Sequence, residues 1–272
     1  HKWFFSAPMS DLFLTLAHTD KGLSCFLATG WLPDGQRNRL KIQRLKEKCG
    51  NRSNASSEVE FYDLEAVMVG EEGRGIATII EMAHHTRMDM AAGSAGLMRQ
   101  ALSQAIHHTS HRRAFQRSIV DQPMMRNVLT DLAIESEAMM WMSLRIARAL
   151  DRSGEDPAEA LLMRIGTPIA KYWATKRAVP FVAEAMECHG GAGFVADHFM
   201  ERLYREAPLN GIWEGSGNVV CLDVLRALNR EPAALAAFMA EVEPTRGVDR
   251  RLDAVVESLK DRLQRPGDFE AN

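Results

Sequence analysis

Between residues 210 and 222 the chain reads Asn-Gly-Ile-Trp-Glu-Gly-Ser-Gly-Asn-Val-Val-Cys-Leu, which sets one carboxylate, Glu214, between the apolar pair Ile212 and Trp213 and the turn Gly215-Ser216-Gly217. Apolar neighbours strip water from a carboxylate and make it a stronger base. The glycines let a substrate or cofactor come close to the backbone. Types and spacing together point to general-base chemistry, with Glu214 as the proton acceptor. A purely structural reading, a carboxylate favoured by the dipole of a helix beginning near Asn218, competes with it, and Asn218 could itself cap that helix.

Other constellations carry less. His107, His108 and His111 contain an i, i+4 pair of the kind used by helical zinc sites, but no glutamate follows His107 and no third ligand is identifiable, so no metal is expected. Gly70, Gly73 and Gly75 fall between a strand-like and a helix-like stretch, yet lack the Lys-Ser/Thr ending of a phosphate loop and read as a connection. Ala91, Ala92, Gly93, Ala95 and Gly96 give one helix a small-residue face, open to a second helix or to a flat ligand. Met88, Met90, Met98, Met139, Met140 and Met142 read as core filler.

These residues need a scaffold. With 272 residues, 46% hydrophobic and 25% charged, the chain can bury one large core or two smaller ones. A formal net charge of -3 gives no global attraction to nucleic acid or an anionic surface. Cys25, Cys49, Cys188 and Cys221 form no CxxC pair, as expected of reduced thiols in a cytoplasmic protein. No apolar run is long enough to span a bilayer, and no membrane partner is expected. Asn51-Arg52-Ser53 and Asn54-Ala55-Ser56 match the glycosylation acceptor pattern but read as a turn.

Up to about residue 70 the periodicity is two: Leu12, Leu14 and Leu16 alternate with Phe13 and Thr15, and Val59 and Phe61 with Glu58 and Glu60. After Gly70 it becomes helical, with Ile76, Ile79, Ile80 and Ala83, and breaks fall at Gln122-Pro123, at 154–157 and at 190–193. The expected class is α+β: a partial antiparallel β domain over 1–70, an antiparallel helical bundle over 71–230, and a helical extension from 231 to 272. The opening His1-Lys2-Trp3-Phe4-Phe5-Ser6 reads as a chain entered inside a domain.

Several segments in succession resemble the acyl-CoA dehydrogenase family of flavoproteins, and most closely its AidB-type alkylation-response branch. They are HKWFFS (1–6), NRSNASSEVEF (51–61), Thr86-Arg87 with the small-residue run from Ala91 to Gly96, Arg112-Arg113-Ala114-Phe115 with Gln122, EAMECHGGAGF (184–194), Leu203-Tyr204-Arg205-Glu206, and IWEGSGNVVCL (212–222). The resemblance runs from residue 1 to about 230.

It implies FAD, bound between β domain and bundle and shared across a subunit interface of a homo-oligomer, a tetramer in the family. Trp3, Phe4, Phe5 and Ser6 would lie along the isoalloxazine, where Ser6 can bond a ring heteroatom and the aromatics exclude water. Arg112, with Phe115 and Gln122, would meet the pyrophosphate of a neighbouring subunit's cofactor. Glu187, Gly190 and Gly191, in a glycine turn that includes Gly193, would approach the other end of the dinucleotide. Ile212, Trp213, Gly215, Ser216, Gly217 and Asn218 would surround the flavin, with Thr86 and Arg87 at an acyl-CoA thioester substrate. The implied reaction is α,β-dehydrogenation, with Glu214 taking the α proton. Other branches place the base just before the arginine at 87, where this chain has Thr86, which cannot serve.

The chain departs from the family with Gln116 where glycine is common, a spacing to Gln122 one residue shorter than in mainstream members, and Glu187 where those members have glutamine. Lacking the family's earlier domain, the chain alone is expected to bind FAD weakly and to expose apolar surface. Beyond 222 the AidB-type branch leads toward a region associated with double-stranded DNA, which makes Arg226 and Arg230, with Arg246, Arg250, Arg251, Lys260, Arg262 and Arg265, candidate phosphate contacts. Eight Lys/Arg face ten Asp/Glu there, a net charge of -2, so a DNA surface requires the charges to segregate. Leu252, Val255, Val256, Leu259 and Leu263 form a helical apolar stripe that is expected to pack.

Overall fold

The computed structural model describes residues 1–263; Arg265 and the end of the 231–272 extension lie outside the described residues. Six strands come first: β1 (Lys2–Phe5), β2 (Leu12–Thr19), β3 (Gly22–Thr29), β4 (Leu40–Leu45), β5 (Ser57–Phe61) and β6 (Ala66–Val69). They form two antiparallel sheets, ordered β1-β5-β4 and β2-β3-β6. The opening run therefore has a partner in β5. Aromatic side chains join the sheets: Phe5 meets Phe13 edge-on at 5.3 Å, and Phe13 stacks on Phe61 at 6.2 Å. The period-two pattern holds in β2, and the face it buries is that of Phe13 and Thr15, while Leu12 is exposed.

The switch at Gly70 is equally literal. Gly70 and Gly73 adopt φ of 74° and 82°, and α1 (Gly75–His111) begins directly on β3, where a Cβ on Gly75 would lie 2.5 Å from the Ser24 carbonyl carbon. Only glycine permits that approach. A short hairpin, β7 (Arg113–Ala114) and β8 (Arg117–Ser118), leads to α2 (Pro123–Arg152), then α3 (Pro157–Glu187). Proline opens both helices, where its missing N–H costs nothing, and the Asp156 carboxylate caps α3 by accepting from the Ala158 N–H.

α1, α2 and α3 run up, down and up around one core. Ala91, Ala95, Met98, Leu102 and Ala105 of α1 meet Ala170, Ala174, Ala178 and Phe181 of α3. The small-residue face divides: Ala91 and Ala95 are buried in this seam, whereas Gly93 and Gly96 are exposed, and a Cβ on Gly96 would meet nothing within 4 Å. Shorter helices follow: α4 (Gly191–Phe194), α5 (Phe199–Glu206), α6 (Gly217–Arg230), α7 (Pro232–Val242) and α8 (Arg250–Leu263). The apolar stripe of α8 packs only in part within the described residues: Val256, Leu259 and Leu263 are half-buried, none of its side chains is fully buried, and Val255 is 64% exposed. Its links to the preceding turn are ionic, Arg246 and Lys260 meeting Glu243 and Glu257. Among the described residues no helix is long and apolar enough to cross a membrane, and no cluster of three or more His, Cys, Asp and Glu could hold a metal ion.

Candidate functional site

Glu214 lies in the connection between α5 and α6. A single 3-10 turn over Leu209–Gly211 bends the chain, the Ile212 and Trp213 N–H groups donate back to the Leu209 carbonyl, and the backbone then turns left-handed, with φ of 54° at Glu214 and 100° at Gly215. A non-glycine residue in that region costs about 1–2 kcal/mol and persists only where its surroundings impose it. Two cations impose it here. Arg87 Nε donates to the Glu214 carbonyl at 3.0 Å, while Lys171 Nζ donates to the Trp213 carbonyl at 2.9 Å and to the Gly215 carbonyl. Glu214 itself is half-buried, and the indole Nε1 of Trp213 is buried with no acceptor.

Arg87, expected at a substrate, is thus engaged with the protein: its Nη1 also pairs with Asp223 Oδ2 at 2.6 Å. Asp223, on the buried face of α6 with Val220 and Ala227, further holds Arg164 at 3.1 Å and Arg226 at 3.2 Å. Burial pushes the Asp223 carboxyl up, but Arg164 and Arg87 outweigh it and hold the group below the usual carboxylate range. Burial, then Arg87, lowers the Lys171 ammonium to about 8, against the pull of Glu214. The neighbouring His84 imidazole is lowered by burial and by Arg164, and its Nδ1 has no partner. Thr86 is half-buried, its hydroxyl donating to the Ala83 carbonyl. Asn218 does not cap α6: the helix starts at Gly217 with Ser216 at its N-cap, and Ser216 and Asn218 are both exposed. A Cβ on Gly217 would come within 2.9 Å of Lys176 Cε, so that glycine serves packing.

Lys171, Asp223 and Arg164 were not singled out by the sequence reading. For two of them a signal existed: Lys171 and Asp223 put a charge on a helix face otherwise apolar, Lys171 between Ala170 and Ala174, Asp223 between Val220 and Ala227.

The remaining expected residues fall into two other places. On β1, Trp3 and Phe4 are exposed by 64% and 44%, Phe5 enters the small core, and the Ser6 hydroxyl accepts from Asn54 Nδ2 at 3.1 Å. No hydrogen bond or ion pair among the described residues joins β1 to the Glu214 turn. They communicate through the Gly50-Asn51 turn, whose Asn51 N–H donates to Glu206 Oε1 at 2.7 Å. A cleft of about 440 Å³ opens beside that contact, lined by Arg52, Arg202, Asp197 and Glu201 among others; it does not include Glu214.

The third group sits at the far end of α1. Arg112 and Gln122 flank the hairpin, and Phe115 at its tip is 89% exposed. Phe115 and Gln116 both have positive φ, 52° and 67°, which gives the family's glycine after Phe115 a steric reason and makes Gln116 a strained substitute. The rings of His108 and His189 lie 4.8 Å apart, so the Glu187–Gly191 turn is at this same end. A Cβ on Gly190 or Gly191 would meet nothing within 4 Å, which leaves their backbone open to a ligand, whereas one on Gly193 would strike the Met186 carbonyl at 2.5 Å. Gly193 is therefore a packing glycine and not part of the open surface.

Residues 73–229 match the family described as acyl-CoA dehydrogenase, C-terminal domain. The chain belongs to the acyl-CoA dehydrogenase family. It is 48% identical to AidB of Escherichia coli (strain K12) over 98% of its own length and 49% of that protein's. Acyl-CoA dehydrogenase family member 11 of Caenorhabditis elegans is 32% identical over 97% of the chain and 45% of that protein. The crystal structure of Caenorhabditis elegans ACDH-11 in complex with C11-CoA superposes with a TM-score of 0.88 and 33% identity, over 97% of this chain and 47% of the other. The chain thus spans about half the length of these relatives. The family accounts for the order of elements, partial β sheets and then a helical bundle.

Proposed function

We propose that this chain carries the proton-abstracting half of an FAD-dependent acyl-CoA dehydrogenase, in which Glu214 removes the α proton of an acyl thioester. The observation that carries the reading is the turn itself: a half-buried carboxylate on a left-handed backbone whose three consecutive carbonyls are held by buried cations. Such fixation suits a base that must meet a weakly acidic C–H at one position, where general-base assistance contributes on the order of 10²- to 10⁴-fold.

The residues present fit a flavin dinucleotide. The exposed rings of Trp3 and Phe4 offer flat apolar surface, Trp213 keeps a buried N–H donor without an acceptor, and Gly190 and Gly191 leave their backbone uncovered. When bound, FAD supplies the acceptor for the hydride that leaves the β carbon. Glu214 receives the proton, Trp3 and Phe4 keep water from the reacting carbons, and Arg112 and the Gly190-Gly191 turn hold phosphate and ribose. Arg87 on α1 and Arg112, the residue that follows that helix, lie 25 residues apart, about 37 Å at a rise of about 1.5 Å per residue. That separation between the Glu214 turn, held by Arg87, and the Arg112 end supports a homo-oligomer whose sites are completed by neighbours.

The test uses the full-length protein. Glu214→Gln should abolish thioester-dependent bleaching of the flavin while FAD stays bound; unchanged bleaching would reject the assignment. The other reading, a DNA-associated flavoprotein with little turnover, is weakened by the pairing of Arg226, Arg246, Arg251 and Lys260 with carboxylates, while Arg230, Arg250 and Arg262 form no ion pair among the described residues. Arg230, on the exposed side of the last turn of α6, is the exception among the two candidates on that helix. A salt-titrated DNA-binding measurement separates the readings, because phosphate contacts make affinity fall steeply with salt.

A further inference from the structure

Lys171 is 1% exposed, and among the described residues it forms no ion pair. Burying an ammonium without a directly paired carboxylate costs several kcal/mol, so its place in the α3 core calls for a compensating role. Its hydrogen bonds show where it acts: both go to carbonyls that flank Glu214, those of Trp213 and Gly215, while Arg87 takes the carbonyl between them. Three successive carbonyls, pointing in different directions because the backbone is left-handed at Glu214 and Gly215, thus converge on two cations from separate helices. A methionine of similar length would fill the space and satisfy none of them.

Resting on the function proposed above, we propose that Lys171 is a positioning residue for Glu214: from α3, opposite Arg87 on α1, its ammonium sets the 213–215 backbone in the one conformation that aims the carboxylate at the substrate α carbon.

The geometry brings a pH signature. The charges facing Lys171 are Arg87 and Glu214, with Arg164 and Asp223 forming the next ring. Its folded pKa, about 8, lies below the ordinary 10.5, so the unfolded chain binds more protons between those values and deprotonation favours the fold as pH rises from about 8 to 10.5. Over the same interval the clamp weakens, because a neutral amine donates more feebly than an ammonium. Global stability and proton abstraction should therefore move in opposite directions above about pH 8, which a merely structural lysine would not produce.

The experiment is rapid-mixing reduction of full-length holoprotein by a saturating acyl-CoA, with and without α-deuteration, across pH, for wild type, Lys171→Met, Lys171→Arg and Glu214→Gln. Lys171→Met should keep its FAD and substrate affinity but reduce the isotope-sensitive rate by about ten- to a hundredfold, the scale of a misplacement of about 1 Å. Lys171→Arg should recover part of that rate and lose the alkaline fall, since a guanidinium does not deprotonate there. Lys171→Met reacting at the wild-type rate, with Glu214→Gln inactive, overturns the positioning role alone; Glu214→Gln reacting normally overturns the underlying function. Should Lys171→Met fail to fold, the wild-type profile decides: no fall in rate above about pH 8 overturns the proposal.

Discussion

Arg87 Nη1 stands 2.6 Å from Asp223 Oδ2, and the same guanidinium holds the Glu214 carbonyl through Nε. One side chain thereby ties the middle of α1 to the buried face of α6 and to the turn between them. With Arg164 and Arg226 also on Asp223, three guanidinium groups meet at a single buried carboxylate, and Arg164 reaches Glu231 as well.

Asp223→Asn should therefore be severe. Removing the charge leaves the largely buried Arg87 without a counterion and Arg164 with only Glu231, a loss of about 3 kcal/mol or more in a denaturant titration, because one partner of a buried pair is deleted. The pH dependence has a definite sign. Because the folded pKa is depressed, this contribution is present above the unfolded value of about 3.9 and disappears as pH falls through the folded one, so the mutant should lose that part of the wild-type's acid-induced destabilisation.

At the hairpin tip the expected effect is opposite. Gln116 has φ of 67° on an exposed turn, so Gln116→Gly should relieve strain and raise stability by up to about 1 kcal/mol, read as a higher melting temperature. Gly75→Ala, whose Cβ would meet β3 backbone at 2.5 Å, should lower it.

Gly191→Ala separates fold from ligand. Nothing within 4 Å obstructs a methyl group there and its φ is not left-handed, so thermal stability of the chain should be unchanged. If the open turn receives the dinucleotide, the same substitution in the full-length protein should weaken FAD binding, measured as cofactor retained on dilution.

Much of this was legible in the residues. The change of period at Gly70 precedes α1, and the breaks at 122–123, 154–157 and 190–193 mark the start of α2, the α2–α3 connection and the turn after α3, because turn residues and apolar spacing act locally; the end of α1 at His111 and its hairpin carried no such break. The Glu214 turn was visible for the same reason. What holds it was not: Lys171 and Asp223 acquire meaning only when α3, α6 and α1 meet, 42 and 136 residues apart in the relevant contacts. The family resemblance put Arg87 at the substrate, and no local pattern around it reveals that a backbone carbonyl and a carboxylate also engage it. The stripe on α8 shows the converse limit, since periodicity names the face that wants covering but not whether the described chain supplies the cover.

The length of α1 between Arg87 and Arg112 has a consequence for handling the protein. If each cofactor is gripped by residues of two protomers, dilution should release it, read as recovered flavin fluorescence, and added FAD should draw the protomers back together by mass action.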